Sequence, residues 1–341
     1  MTPRERMLKA FAFDNPDRLP VWYHPSPAGL YVHGQKLLDL FNAYPPDNPI
    51  TFDKIPQPAP EAFDADGRYH EFIRDDFGTL WEHRIFGVAG HPYEYAIPSA
   101  EAMDSYVLPA VPECSGEPFE RQRQRIRQLK ENYLVFGGDV SIFEKLHALR
   151  PFEEVLMDIG TQEPAMMRLL DRLVEFGRRH IEYHLALGAD VIMFGDDWGT
   201  QDSLLISPHT FREVFKPRLR SLMDPVRQAG ARIFYHSCGA VHPLYNDLVE
   251  LGINGLWHQV GLYDAEGFAK EAARNRTVLF LHMDRQWLVP CGTPAQIRET
   301  VRRYRDIHRQ LGGGAIFYVE IENDAPFENV EALITAVHGQ A

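Results

Sequence analysis

Short apolar segments alternate with longer amphipathic segments over most of this chain, and that alternation is its strongest constraint on the fold. From residue 118 onward, each of six apolar segments is paired with a stretch of helical periodicity. Repeated β-α units of this kind predict a parallel sheet, and six in succession favour closure into a barrel. We therefore predict an α/β protein, a distorted (β/α)8 TIM barrel. The predicted strands lie in YLVFGGD, ADVIMFGDD, ARIFYHSC, INGLWHQV, TVLFLHMD and GAIFYVEIE.

The 341 residues suit one barrel domain with an insertion, so we predict a single domain over residues 1–341. The segment Val21-Trp22-Tyr23 predicts a short strand, which prolines end at positions 25 and 27. Residues 40–120 are rich in proline, aromatic and acidic residues, and we interpret them as an irregular cap. An open dinucleotide-binding sheet is disfavoured, because no GxGxxG follows a strand.

Composition and charge exclude several classes of protein. Apolar residues make up 45% of the chain, yet no apolar run approaches the roughly 20 residues that cross a bilayer. The first residues predict an amphipathic helix rather than a signal peptide, and three scattered cysteines form no disulfide framework. We therefore expect a cytoplasmic protein. A net charge of −13 argues against a nucleic-acid partner.

Polar side chains stand where the predicted strands end. In a barrel the carboxyl ends of all strands face one mouth, so these side chains are expected to converge there. Helix capping or a salt bridge explains one polar strand end, but six together indicate a catalytic mouth. The residues are Asp139, Asp196, Asp197, Trp198, His236, Cys238, His258, Gln259, His282, Asp284, Glu320 and Glu322.

The pair His236 and Cys238 is the most informative of these strand ends. An imidazole and a thiolate two residues apart at a strand end converge on one point, and that pairing suits a borderline divalent cation, above all zinc. An isolated pair of this kind has a structural alternative, a buried cysteine beside a capping histidine. Only a complete ligand set is diagnostic.

Several segments together resemble the uroporphyrinogen decarboxylase superfamily, and GDDWGTQ…ISP and HSCG are the most specific of them. The likeness covers most of the chain. It implies a distorted (β/α)8 barrel with its site at the carboxyl ends of the strands. The segments are PVW, DDFGTLW, SIFEKLHALRPFEEVLMDI, GDDWGTQDSLLISPHTFREVFKPRLRSLM, HSCGAVHPLYNDLVELGINGLWHQ, GTPAQIRETVRR, GGGAIFY and PFENVEAL.

Within that superfamily the chain resembles the zinc-dependent corrinoid methyltransferases more than the true decarboxylases. True porphyrinogen decarboxylases carry an arginine-containing MRQAGR-like segment after PVW, whereas residues 23–30 are YHPSPAGL. A tetrapyrrole with many carboxylates needs cationic partners, and an acidic site would repel it. The resemblance implies methyl transfer between a small O-, N- or S-methyl compound and the corrinoid (cobalamin) of a partner protein. Related barrels often pair as dimers.

The resemblance also implies a zinc site. Its ligands would be His236, Cys238 and a third residue after the last strand, where the family usually has cysteine. Here Glu320 takes that position, and glutamate is an acceptable zinc ligand. Glu322 and Cys291 are the alternatives for the third ligand.

Asp197 and Asp196 are the candidate catalytic residues. A carboxylate beside a metal-bound imidazole orients the ring, and either residue would also orient a proton donor on the substrate. Capping of the following helix is the structural alternative for one of the two.

The substrate pocket is predicted from the remaining polar and aromatic residues near the strand ends. An aromatic wall would be formed by Trp22, Tyr23, His24 and Trp198, although core packing explains these residues equally well. The other pocket candidates are Gln201, His258, Gln259, His282 and Asp284. Two other functions stay open, a metal-independent decarboxylase of a smaller acid that uses Asp197, and a binding protein without chemistry.

Overall fold

The computed structural model describes residues 1–339, which form ten strands and fifteen α-helices. Most barrel strands are short apolar runs rich in β-branched or aromatic residues, as buried parallel strands require, whereas β5 and β8 also contain glycine and polar residues. The strands are β1 (Val21–Tyr23), β2 (Glu71–Arg74), β3 (Leu80–His83), β4 (His91–Glu94), β5 (Phe136–Val140), β6 (Val191–Gly195), β7 (Arg232–His236), β8 (Gly255–Gln259), β9 (Val278–His282) and β10 (Ala315–Val319).

Most of the helices follow strands of the barrel and pack around its outside. Glycine ends several of them in the left-handed conformation that follows a helix, as at Gly188 and Gly252. The helices are α1 (Pro3–Ala12), α2 (Pro27–His33), α3 (Gln35–Ala43), α4 (Ala102–Ser105), α5 (Gly116–Leu129), α6 (Phe143–Leu149), α7 (Phe152–Gly160), α8 (Pro164–Leu187), α9 (Pro208–Thr210), α10 (Lys216–Gln228), α11 (His242–Leu251), α12 (Ala265–Arg274), α13 (Leu288–Cys291), α14 (Pro294–Gln310) and α15 (Phe327–Val337).

The main sheet contains seven parallel strands in the order β1-β10-β9-β8-β7-β6-β5. From β5 to β10 each strand lies beside the next one in the chain, because a helical crossover returns the chain to the same end of the sheet. Strand β1 completes the sheet beside β10, where Val21 is in register with Phe317. The sheet is curled, since the ring of Trp22 on one edge strand lies 4.5 Å from that of Phe136 on the other.

This curled sheet confirms the predicted α/β class and distorted barrel. Within residues 1–339 the sheet has seven strands rather than the eight of a regular (β/α)8 barrel. The chain between β1 and β5 contains the proline-rich segments around residues 45 and 56–60. Because proline cannot donate a hydrogen bond to a neighbouring strand, these segments are unsuited to a central strand.

Aromatic side chains fill the interior of the barrel. The rings of Phe234 and Phe280 lie 4.2 Å apart at its centre, and Tyr318 stacks on Phe280. Helix α1 closes the amino end of the barrel by burying Met7 and Phe11 against the same cluster. The larger apolar core lies between the sheet and the surrounding helices. The barrel is thus a packed core whose open end is the carboxyl end of its strands.

Residues 40–120 contain the small antiparallel excursion that the sequence predicts. Strands β2, β3 and β4 form a separate three-stranded sheet in that order. The segment is tied to the barrel helices by hydrogen bonds from Thr79 to the carbonyl of Ala148 and from Arg172 to the carbonyls of Met103 and Tyr106. The single-domain assignment with this cap stays a prediction. Among residues 1–339, no helix has both the length and the apolar composition to cross a membrane.

Candidate metal and substrate site

A cavity of about 320 Å³ lies at the carboxyl ends of strands β6 to β10. Its wall contains residues that follow five neighbouring strands, because parallel strands all end at the same edge of the barrel. Nine of the residues that the sequence predicts for the site line this cavity. They are Asp197, Gln201, His236, Cys238, His258, Gln259, His282, Asp284 and Glu320.

Three of these side chains form a compact set of potential metal ligands. One donor atom each of Asp197, His236 and Cys238 lies within 4.8 Å of the other two. The Nε2 atom of His236 lies 3.5 Å from Sγ of Cys238 and 3.3 Å from Oδ1 of Asp197. Imidazole nitrogen, thiolate sulfur and carboxylate oxygen are the three ligand types that zinc accepts.

The orientation of the His236 ring favours metal binding through Nε2. Its other nitrogen, Nδ1, lies 3.1 Å from the carbonyl oxygen of Trp257 on the neighbouring strand β8 and donates a hydrogen bond to it. The Trp257 ring packs against the imidazole with 4.0 Å between centroids. A carbonyl that fixes the tautomer in this way is typical of metal-binding histidines.

The electrostatics of the set correspond to an ion pair in the metal-free protein. Burial alone would lower the pKa of His236, but its hydrogen bonds with Asp197 and Cys238 outweigh burial and raise the pKa to about 10. Burial alone would raise the pKa of Asp197, but hydrogen bonds with His236 and the Cys238 amide hold that pKa below its usual value. A cation bound among these groups would replace the proton on His236.

Close contacts between two loops position Cys238. The backbone amide of Cys238 donates a 2.7 Å hydrogen bond to Oδ1 of Asp197. The next residue, Gly239, has φ +84°, and a Cβ atom there would overlap the carbonyl of Gly199. The amide of Ala240 donates to the carbonyl of Thr200 at 2.8 Å. Only glycine combines this φ with so close an approach of two backbones.

Glu320 lines the same cavity but lies outside the compact set. Its Oε1 atom is 3.3 Å from Nδ1 of His24, and its Oε2 atom is 3.9 Å from Nε2 of His282. Burial raises the pKa of Glu320 above its ordinary value. Glu322 and Cys291 do not line this cavity, since Glu322 lies 3.3 Å from Arg285 in an adjoining cavity and Cys291 is exposed at the end of α13.

Asp196 lies outside the cavity wall and is fully buried. Its Oδ1 atom accepts hydrogen bonds from the backbone amides of Ile142, Phe143 and Glu144, at 3.0, 2.7 and 2.9 Å. These amides begin α6, so Asp196 caps the helix after β5 and not the helix after its own strand. Burial raises the pKa of Asp196 well above its ordinary value.

The predicted aromatic wall does not line the cavity. Trp198 is fully buried, stacks on Phe143 and donates a hydrogen bond from Nε1 to the hydroxyl of Tyr235. Trp22 packs inside the barrel, and Tyr23 is buried in the outer core, because successive strand residues point to opposite faces. His24 lines the adjoining cavity. The alternative of core packing therefore holds for both tryptophans and for Tyr23.

Three residues that the sequence analysis missed belong to the surroundings of the site. Trp257 and Arg285 line the cavity itself. Burial and the nearby Asp197 carboxylate raise the pKa of Glu144 to about 7. Arg285 lies three residues after the end of β9, and that position in the sequence indicates a residue at the mouth of the barrel. Glu144 gave no comparable signal, because it lies inside a helix.

Two histidines in the cavity wall, the buried His258 and the partly buried His282, have lowered pKa values. Burial lowers the pKa of both His258 and His282 to about 3. Neutral imidazoles present one donor and one acceptor each, so these side chains can hydrogen-bond an uncharged substrate.

Residues 119–340 match the protein family described as Uroporphyrinogen decarboxylase (URO-D). Two curated relatives, the uroporphyrinogen decarboxylases of two Thermus thermophilus strains, are 29% identical over 133 residues. That match covers 38% of this chain and 35% of theirs, so it spans about a third of the relatives' length. A solved methyltransferase from Methanosarcina mazei aligns with 99% of this chain and 98% of its own, at 19% identity and a TM-score of 0.64. That alignment shows the same fold over the whole length. Because the family match covers more than half of the sequence, the chain belongs to the uroporphyrinogen decarboxylase family.

Proposed function

We propose that this protein is a zinc-dependent methyltransferase. It would move a methyl group between a small O-, N- or S-methyl compound and the corrinoid of a partner protein. The observation that carries the proposal is the set of His236, Cys238 and Asp197 donor atoms within 4.8 Å of one another, in a cavity at the mouth of the barrel. Catalytic zinc sites combine three protein ligands with one open position.

The donor set fits zinc in its chemistry. His236 and Cys238 supply nitrogen and sulfur from one strand end, and Asp197 supplies oxygen from the neighbouring one. Glu320 and Asp284 are the other carboxylates that line the cavity, and the carboxylate of Glu320 lies beside His24 and His282. When bound, Zn²⁺ would supply Lewis acidity to the heteroatom that carries the methyl group.

The remaining cavity residues would orient the substrate. The Nε2 atom of Gln201 donates a 3.0 Å hydrogen bond to Oε1 of Gln259, and that oxygen also accepts from the amide of Gly239. This network connects the loop that carries Cys238 to the end of β8. His282 and Trp257 line the wall of the cavity beside the ligand set. These groups would hold a small substrate through hydrogen bonds and ring contact.

A corrinoid would come from a partner protein. The sequence contains no DxHxxG pattern of the kind that cobalamin-binding modules carry. The transferred methyl group would therefore pass through the mouth of the barrel between two proteins.

The charges in the cavity favour methyl transfer over porphyrinogen decarboxylation. Among the described residues that line it, Arg285 is the sole arginine or lysine, and it also pairs with Glu322. Asp197, Asp284 and Glu320 line the same space. A substrate with many carboxylates would meet more negative charge than positive charge.

The test combines metal analysis with methyl transfer. Zinc-loaded wild-type protein is expected to hold about one zinc per chain and to methylate reduced cobalamin from one member of a panel of methoxyarenes, methylamines and thioethers. Cys238→Ala should lose both zinc and transfer, whereas Cys291→Ala, which removes an exposed thiol outside the cavity, should keep both. A protein that holds no zinc after growth with ample zinc, or metal-free protein that releases CO₂ from a small acid, would overturn the proposal.

A further inference from the structure

A second cavity, of about 290 Å³, lies between the barrel and the segment of residues 40–120. The barrel side is formed by the end of β5, by Lys145 on α6 and by Phe176 and His180 on α8. The other side is formed by Phe77 and the chain at residues 109–112. It shares no lining residue with the cavity at the strand ends. The two cavities can therefore be studied independently.

The Lys145 amine in this cavity lacks an anionic partner within the described part of the chain. It is half-buried, and its Nζ atom lies 3.9 Å from the centre of the Phe77 ring. Among residues 1–339, no carboxylate oxygen lies within 4.0 Å of that amine, and no hydrogen bond engages it. Burial lowers the pKa of Lys145 below its ordinary value, although Asp75 and Asp139 oppose the effect. A lysine held in this way is costly to keep charged unless an anion joins it.

The His180 imidazole is a second nitrogen-containing group in the wall of this cavity. Its ring packs against Phe176 with 4.6 Å between centroids. Burial, followed by the charge of Lys145, lowers the pKa of His180. An anion beside these two side chains would stabilise the charged form of each.

The nearby carboxylates do not fill this role. Asp75 accepts hydrogen bonds from the Trp81 indole at 2.9 Å and from the backbone amides of Phe77 and Thr79. Asp139 and Asp76 also line the cavity, and both are exposed. The wall of the cavity therefore combines two nitrogen donors with phenylalanine, proline and valine side chains, beside these two exposed aspartates.

We propose that this cavity binds a compact organic carboxylate. The carboxylate would pair with Lys145 and His180, and an apolar body would pack between Phe77 and Phe176. The apolar walls favour a carboxylate with a hydrocarbon body over inorganic phosphate. The site is separate from the proposed zinc site, so the binding does not depend on the methyltransferase activity.

The test is calorimetric titration of the zinc-loaded full chain with benzoate, with benzamide as the uncharged probe of the same shape. Benzoate should bind saturably at one site, and benzamide should bind at least about tenfold more weakly, because it lacks the charge that Lys145 pairs with. Lys145→Met removes the amine while it keeps a long unbranched side chain, and it should weaken benzoate binding by about tenfold or more. Thermal unfolding of Lys145→Met checks that the variant is folded.

Two further variants locate the binding. Arg285→Met removes the arginine of the other cavity and should leave benzoate affinity unchanged. Ala110→Leu adds bulk to an exposed wall residue and should weaken benzoate binding, although the Lys145 amine is still present. Absence of saturable benzoate binding, unchanged affinity in Lys145→Met, loss of binding in Arg285→Met, or tighter binding of inorganic phosphate would each overturn the proposal.

Discussion

The Oδ1 atom of Asp197 accepts a 2.7 Å hydrogen bond from the backbone amide of Cys238. The carboxylate after β6 thus holds the loop that carries the thiol after β7. The same oxygen lies 3.3 Å from Nε2 of His236. Because one carboxylate contacts both other members of the set, the three groups are preorganised before any cation binds.

Asp197 and Glu320, two of the three carboxylates that line the cavity, should differ in their effect on zinc affinity. Asp197→Asn is expected to weaken zinc binding by about 10- to 100-fold. Asp197 lies in the compact set, and the neutral side-chain amide of asparagine is a poor zinc ligand. Glu320→Gln should change the affinity much less, since Glu320 contacts His24 and His282 instead. Competition with a chromophoric chelator measures both constants. A larger loss in Glu320→Gln than in Asp197→Asn would show that Glu320 is the third ligand.

Zinc binding should strengthen as the pH rises toward 10. In the metal-free protein the pKa of His236 is raised to about 10, so at neutral pH a proton must leave before the metal binds. The affinity is expected to increase up to about tenfold for each pH unit over the range from about 6.5 to 10. Chelator competition at several pH values tests this dependence, and a flat profile would contradict it.

The same raised pKa makes a prediction for the stability of the metal-free protein. His236 contributes stability that is fully present below its unfolded pKa of about 6.5 and is lost as the pH rises through about 10. The difference in melting temperature between metal-free wild type and His236→Gln should therefore narrow between pH 6.5 and 10. Thermal scans monitored by circular dichroism measure this difference, and a gap that widens with pH would contradict the assignment.

Asp196 should matter for folding rather than for binding zinc. Asp196→Ala would leave the backbone amides of Ile142, Phe143 and Glu144 without their acceptor, at a cost of about 2–4 kcal/mol in unfolding free energy. Asp196→Asn keeps an acceptor oxygen and should cost less than half of that. Urea denaturation measures both, and zinc content should stay at the wild-type value in Asp196→Asn. Loss of zinc from that folded variant would be the contrary result.

Gly239 can be tested against Gly230, a glycine that also has a positive φ. Gly230 has φ +74°, and no neighbouring atom lies within 4 Å of the position that an alanine Cβ would take, so Gly230→Ala should cost only about 1 kcal/mol. Gly239→Ala adds an overlap with the carbonyl of Gly199 to the same strain and should cost about 3 kcal/mol or more. It should also displace Cys238 and lower the zinc content. Equal stabilities of the two variants would disprove the close contact between the loops.

Local features of the sequence were sufficient to predict the barrel and the convergence of the side chains at its strand ends. Alternating apolar and amphipathic segments predict parallel β-α units, and in such units every strand ends at the same mouth. The spacing of His236 and Cys238 is equally local, since two residues at one strand end leave side by side. The cavity at the strand ends, with both of these side chains in its wall, follows from that pattern.

Only the tertiary structure decided which other side chains meet His236 and Cys238. Asp196 and Asp197 are neighbours in the sequence, yet one is buried under α6 and the other faces the cavity, because successive residues leaving a strand point to opposite sides. Trp198 lies on the same side as Asp196 and packs in the core. Its indole nitrogen donates a hydrogen bond to the hydroxyl of Tyr235 there. The pairing of Asp197 with Cys238 joins residues 41 positions apart. Contacts of this kind depend on how neighbouring strands and loops pack, and no local pattern in the sequence contains that information.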